Sequence, residues 1–288
     1  MQPRLPQYLL ILPVQLLLVG IIFIPSIYVG WLSFQQSSFG IDTVFVGLSN
    51  YIRLASDPFF WRSVINTFII VNVVVYTELL LGLAMAAFFA SGVPFQRVLL
   101  SIAIAPYAVS EVIAVLIWRY MFEPDVGLAQ WSLDTLHLPS LDWSTSPSQA
   151  LALICVISVW QHLPFTFLIL YSARLGIPEE LYESAYLDGA SERQMFFRIT
   201  IPLLKPAILI ALLFRYIFAF RIFSEVWLLT GGGPARSTET VATYLFRSAF
   251  RYSEFGLASA TGWAVVLLSL LLSLYYLRLI YKRMFANA

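Results

Sequence analysis

Charge is what this sequence has least of. Only 11% of its 288 residues are Asp, Glu, Lys or Arg, while 60% are hydrophobic, and mean hydropathy is +0.81. Soluble domains carry about 25% charged residues. So much apolar surface cannot be hidden in a water-soluble core, which leaves a membrane protein of several spans. Net charge is +1 and no basic block occurs, so nucleic acid is not an expected partner. The one cysteine, Cys155, excludes an internal disulfide and a cysteine metal cluster, and sits in an apolar run as a small buried residue. No GxxxxGK[ST] phosphate loop is present, so the chain has no ATP site of the usual kind. HExxH, CxxC and GxSxG are also missing. There are two histidines. His137 reads as decoration of an outer loop. His162 lies inside an apolar run, where a helix–helix hydrogen bond and a solute contact are its two readings. No catalytic residue, metal site or cofactor bound by this chain is expected.

What is there is length of apolar run. Six stretches can cross ~30 Å of hydrocarbon as helices: Tyr8–Leu32, Val64–Phe89, Val98–Phe122, Gln149–Leu170, Leu203–Ile222 and Ala258–Tyr281. The first follows Arg4 but is too long for a signal peptide and lacks a small-residue cleavage site, so it reads as an uncleaved span. Positive charge in loops sets orientation. With both termini on the cytoplasmic side, that side holds Arg4, Arg97, Arg174, Arg193, Arg198, Lys205, Arg278, Lys282 and Arg283. The opposite side holds Arg53, Arg62, Arg236, Arg247 and Arg251, and its loop from Glu123 to Ser148 carries only acids: Glu123, Asp125, Asp134 and Asp142. The outer segment 223–257 contains Leu229–Pro234 (LTGGGP) and an amphipathic run Thr238–Phe250, read as a short re-entrant helix or an ordinary loop.

Ionisable residues within spans are functional candidates by default. Glu78 and Glu111 fall in the second and third spans, either as interhelical partners or as a proton relay. Pro106 kinks the third span and frees a carbonyl. Arg119 near the outer interface snorkels. Arg215 and Arg221, six residues apart, stand roughly 120° apart on a helix and so do not share a stripe. Arg221 reaches Glu225 at i+4 for an ion pair. Gly82, Ala86 and Ala90, and again Gly256, Ala260 and Ala264, form small-residue ridges for helix packing.

The most informative stretch is the charged island Pro178–Pro206. Pro178, Glu179 and Glu180 suit a helix N-terminus. Gly189 suits its end. A second short helix from Ser191 carries Met195, Phe196 and Ile199 toward the membrane, before Pro202 and Pro206 open the fifth span. The physics gives a helical knob with a sharp bend, or an amphipathic linker.

Glu183-Ser184-Ala185, Asp188-Gly189-Ala190, Ile199 and Pro202 resemble the EAA loop of permeases from binding-protein-dependent transport systems, with Ser184 in place of the central Ala. Leu229–Pro234, Thr238-Glu239, Tyr244 and Ala249-Phe250 are similar to carbohydrate permeases of the maltose-type first subunit, although Ser224 stands where many members have Asp. Trp118, Met121-Phe122 and Gly127 also match the third-span exit of that family.

The resemblance implies an all-α membrane protein with the six-span type I ABC importer permease fold, a single permease domain over 1–288, and a cytoplasmic coupling loop over 175–202. It implies a second, homologous permease subunit, two ATPase subunits holding ATP and Mg, and a periplasmic or lipid-anchored solute-binding protein that delivers a sugar. The site is the bacterial inner membrane. Coupling is carried over to Glu183, Ala185, Asp188, Gly189, Ala190, Ile199 and Pro202. Tyr107, Glu111, Trp160, Gln161, Tyr171, Arg215 and Arg221 are candidates for the solute pathway, aromatic faces and hydrogen bonds being what sugars bind. An anionic sugar would suit either arginine. A non-sugar solute and a proton-coupled transporter are the alternatives.

Overall fold

A computed structural model describes residues 5–124 and 126–285. Arg4 and Asp125, both used in the charge count above, lie outside the described residues, as do the side chains of Lys282 and Arg283. In chain order the elements are α1 (Leu5–Leu18), a π-helical turn, α2 (Ile24–Leu32), β1 (Gln35–Ser38), β2 (Ile41–Phe45), α3 (Ser49–Ser56), α4 (Pro58–Ala90), α5 (Gln96–Ile104), α6 (Glu111–Met121), α7 (Leu128–Thr135), α8 (Pro147–Leu175), α9 (Glu180–Leu187), α10 (Glu192–Met195), a second π turn, α11 (Ile201–Ala219), α12 (Ser224–Leu229), α13 (Val241–Phe246), a third π turn and α14 (Phe255–Phe285).

Among the described residues four helices are long and apolar enough to cross a membrane: Leu12–Leu32, Pro58–Ala90, Pro147–Leu175 and Glu192–Ala219. A fifth candidate is the pair Gln96–Ala108 and Glu111–Met121, bent by 99°. That bend corrects the continuous third span expected over Val98–Phe122. Pro106 has no N–H to give the ladder; Ala105–Ala108 tightens to 3₁₀ geometry and Val109 goes extended. The apolar described part of α14 is Phe255–Leu271. A second correction concerns the all-α expectation: β1 and β2 form an antiparallel hairpin, turned at Gly40 with φ +76°, a conformation glycine adopts without a Cβ penalty.

The described residues fall into two compact units, one drawn from Met1–Trp61 and Tyr244–Leu268, the other from Arg62–Thr243 and Ser269–Ala288. In the first unit, Asn50 Nδ2 donates to the carbonyls of Ser33 (2.9 Å) and Gln35 (2.8 Å), fixing α3 to the hairpin. Gly256, from the small-residue ridge, lies so close to the Gln35 carbonyl that a Cβ would stand 2.0 Å from it. None of the residues of Leu12–Leu32 is buried.

The second unit is organised around α8. One apolar core joins α4, α6, α8 and α12 through Ile70, Val115, Ile154, Ile157 and Val226. Another joins α4 to α8 through Ala86, Phe89, Phe167 and Leu170. Gly82 permits that approach: a Cβ there would meet Thr166 Cγ2 at 3.2 Å and the Phe167 backbone N at 3.4 Å, which is small-residue helix packing of the kind membrane helices use. Before α8, Asp142 gathers Ser144 Oγ (2.9 Å), the Thr145 N–H (3.1 Å) and the Thr145 hydroxyl. These bonds, the Thr145 hydroxyl first, hold its carboxyl below the usual carboxylate range.

α10, the π turn and α11 form one helical run, Glu192–Ala219. The expectation that Pro202 and Pro206 separate a short loop helix from a fifth span starting at Leu203 is therefore corrected. Pro202 stands in the first turn of α11, and the looser π geometry of Phe196–Thr200 just before it accommodates the ring without ending the helix.

Candidate functional site

Four residues of α8 share one face: Ser158, Gln161, His162 and Phe165, at helical spacings of three, four and seven. They form one wall of a cavity of about 630 Å³. The broken α5–α6 connection supplies Tyr107, Val109 and Glu111, and the end of α11 with the start of α12 supplies Arg215, Arg221, Ser224 and Glu225. The break is what admits polar groups. Glu111 opens α6 instead of sitting in the middle of a helix, and the Val109 carbonyl freed by the bend accepts Gln161 Nε2 at 3.0 Å.

The two ends of the cavity differ in chemistry. Tyr107 and Phe165 stack with centroids 6.1 Å apart, and Phe165 meets Phe218 edge-on at 6.0 Å, which gives an aromatic end. At the polar end Ser224 Oγ donates to Glu111 Oε2 (3.1 Å). His162 Nδ1 stands 3.0 Å from the Ser158 carbonyl. A carbonyl only accepts, so Nδ1 carries the proton, and Nε2 faces Glu111 Oε1 at 3.9 Å.

Behind this wall lies a different arrangement. Glu78, 0% exposed, receives Arg215 Nη2 at 2.6 Å and also Arg215 Nε, while Thr166 Oγ1 donates at 3.3 Å. The fork is bidentate and joins α4, α8 and α11. Glu78 therefore takes the interhelical-partner reading.

Five of the sequence candidates, Tyr107, Glu111, Gln161, Arg215 and Arg221, line the cavity together. Two do not. Tyr171 is buried among Phe89 and Phe167 and accepts Gln96 Nε2 at 2.6 Å; it is an anchor between α5 and α8, because it lies on the side of α8 that faces α4. Trp160 packs edge-on against Trp118 and lines an apolar groove with Cys155, one residue off the polar stripe of α8. The expectation that Arg215 and Arg221 face different ways is also corrected: the helix ends at Ala219, so wheel geometry does not extend to Arg221, and both reach the cavity. For the same reason the i+4 pair fails; among the described residues Arg221 forms no ion pair with Glu225, which is buried at the start of α12. Ser158, Phe165, Phe218 and Ser224 were missed. The 158–161–162–165 stripe was readable as polar spacing within an apolar segment; Ser224 was not, since it depends on the chain break after Ala219.

A second concavity, about 360 Å³, lies at the charged island. Ala185, Asp188, Gly189, Ala190 and Ile199 line it with Gln194, Met195 and Arg198, whereas Glu183 and Pro202 do not. Gly189 has φ +76° and turns the chain from α9 into Ser191, which caps α10 in a capping box with Gln194. Arg174 stacks over the Tyr182 ring at 4.1 Å and Tyr182 hydroxyl meets Thr200 Oγ1 at 2.8 Å, tying α9 to α8 and to the start of α11. Tyr186 and Leu187 remain 73% and 86% exposed.

The architecture is that of the membrane subunit of a type I ABC importer. A chain of a bacterial ABC transporter that imports the acidic polysaccharide alginate superposes with a TM-score of 0.85 over 98% of this chain and 96% of its own, at 21% identity. The sequence matches the family of binding-protein-dependent transport system inner membrane components over residues 78–284, and the chain belongs to that family. Among its relatives, the trehalose/maltose transport system permease protein MalF of Thermococcus litoralis is 34% identical over 94% of this chain and 92% of its own. The sulfoquinovosyl glycerol transport system permease protein SmoG of Agrobacterium fabrum is 35% identical over 96% and 91%.

Proposed function

We propose that this chain is one permease half of an ATP-driven importer that moves a sugar or sugar derivative into the cytoplasm. Family membership and the names of the sugar-transporting relatives support the sugar. The cavity supports a passage, since aromatic faces beside hydrogen-bonding groups are what a polyhydroxylated solute needs. Tyr107, Glu111, Gln161, Arg215 and Arg221 line that passage.

One observation carries the coupling: a single helical run, Glu192–Ala219, holds Ile199 and Arg198 at the island and Arg215 at the cavity. A push on the island is thereby delivered to the cavity wall along one continuous helical run. In this reading the loop over 175–202 is the EAA loop. Ala185, Asp188, Gly189, Ala190 and Ile199 form its socket, with Glu183 on the exposed face of α9 and Pro202 at the root of α11. It docks on one of two ATPase subunits, which hold ATP and Mg; the chain itself holds no cofactor. A second permease completes the pathway, and a periplasmic or lipid-anchored binding protein delivers solute to the outer segment 223–257. Six spans, with α14 as the last, put both termini in the cytoplasm, and residues 1–288 act as one permease domain. ATPase closure then drives rigid-body rocking about the cavity.

Gly189→Asp tests this in vesicles containing the full complex. A side chain at φ +76° is strained, so binding-protein-stimulated ATP hydrolysis and uptake should fall together. Uptake that persists, or that needs no ATPase, contradicts the coupling.

A further inference from the structure

The cavity holds two guanidinium groups of unequal electrostatic standing. Arg215 is 3% exposed and its charge is cancelled by the bidentate carboxylate of Glu78. Arg221 is exposed, follows the end of α11 and, among the described residues, has no carboxylate within ion-pair distance. Glu111, on which the Arg221 charge acts from beyond ion-pair distance, already receives Ser224 Oγ at 3.1 Å and faces His162 Nε2 at 3.9 Å, and it sits in the first turn of α6, where a carboxylate is favoured by the helix dipole. Glu225 also lines the cavity but is 3% exposed.

A guanidinium in a cavity between membrane helices, with no carboxylate in direct contact, costs free energy unless the pathway uses it. Its planar fork matches the oxygens of a sulfonate, phosphate or carboxylate. Around it, the cavity offers groups that suit hydroxyls. Glu111, whose side chain is 54% exposed, presents carboxylate oxygens to it, and Tyr107 with Phe165 offers an aromatic face.

We infer that the solute carries an anionic group as well as hydroxyls, and that Arg221, not Arg215, is the residue that selects it. This rests on the cavity being the solute passage. Arg221 binds the acidic group, the exposed carboxylate of Glu111 accepts from a hydroxyl, and the aromatic end packs against the carbon skeleton. Arg215 holds the wall in place.

The test uses the assembled complex in lipid nanodiscs, titrated with two matched pairs: glucose against glucose 6-sulfonate, and glycerol against glycerol 3-phosphate. Binding is read by saturation-transfer NMR in wild type, Arg221→Gln and Arg221→Lys. Expected is a preference of about tenfold or more for the anionic member of at least one pair, the scale of one charge-assisted contact. Arg221→Gln brings the ratio to about one, and Arg221→Lys, which keeps the charge but loses the fork, leaves an intermediate ratio. Equal binding within both pairs in wild type, or a preference that survives Arg221→Gln, overturns this inference and leaves the passage standing. Failure of all four probes to bind overturns the passage with it.

Discussion

The Glu78–Arg215 joint and the Glu111–His162–Arg221 wall are built from the same kinds of side chain and do opposite things. At the joint every charge is out of water and matched: two guanidinium nitrogens on one carboxylate, with the Thr166 hydroxyl added. At the wall, groups stand apart in an open cavity, with 3.9 Å between His162 and Glu111 and Arg221 outside ion-pair range of any described acid. Satisfied and buried, ionisable groups hold helices together; incompletely paired and open, they are available to a solute. Intramembrane charge alone does not distinguish the two.

The contrast is most sharply broken at its buried side. Glu78→Ala leaves Arg215 buried without a counter-charge, and a loss of about 3–5 kcal/mol is expected, read as a large drop in the thermal midpoint of the detergent-held complex. Arg221→Ala at the exposed side should change stability by no more than about 0.5 kcal/mol, leaving the same midpoint nearly unmoved, while impairing transport. Similar destabilisation by both would erase the distinction. Gly82→Val tests how closely α4 and α8 must approach around the joint: with Thr166 Cγ2 at 3.2 Å from a Cβ, overpacking should cost about 1–3 kcal/mol, and unchanged stability would mean the interface is loose. Tyr171→Phe removes the bond accepted from Gln96 and should cost about 1 kcal/mol with uptake kinetics unaltered; a changed apparent affinity for solute would return Tyr171 to the pathway.

The smallest effect is expected at Asp142, a carboxylate as well satisfied as Glu78 but exposed. Its folded pKa is depressed, chiefly by the Thr145 hydroxyl, so its contribution is present above the unfolded value of about 3.9 and is lost as pH falls through the folded value. Asp142→Asn should therefore lower the thermal midpoint slightly at neutral pH, with the difference from wild type vanishing in acid. A difference that grows in acid would reverse the sign.

Much of this was legible in the chain. Periodicity and apolar length placed α4, α8 and the membrane part of α11, because those are set by local hydrophobicity; the unbroken run from α10 into α11 was not legible, since Pro202 and Pro206 read as a boundary. The island's bend was legible because only glycine accepts φ +76° at position 189 without strain. What escaped was geometry that arises when helices stop. Pro106 announced a kink, but not the 99° bend that makes Glu111 the start of α6 and hands the Val109 carbonyl to Gln161 across the gap. Arg221 was given a helical phase it does not have, since the helix ends two residues earlier. Trp160 and Tyr171 were chosen for their chemistry, and the phase of α8 against its neighbours, which a single segment does not encode, turned them away from the cavity.

The central claim is that the wall meets solute and water while Glu78 and Thr166, the part of the joint behind Arg215, do not. The most direct measurement is thiol accessibility in the assembled complex, in a Cys155→Ala background. Ser224→Cys and Thr166→Cys are treated with a small water-soluble methanethiosulfonate. The account predicts rapid modification at position 224, slowed by bound solute, and silence at position 166. Equal reactivity at both, or none at 224, would contradict it.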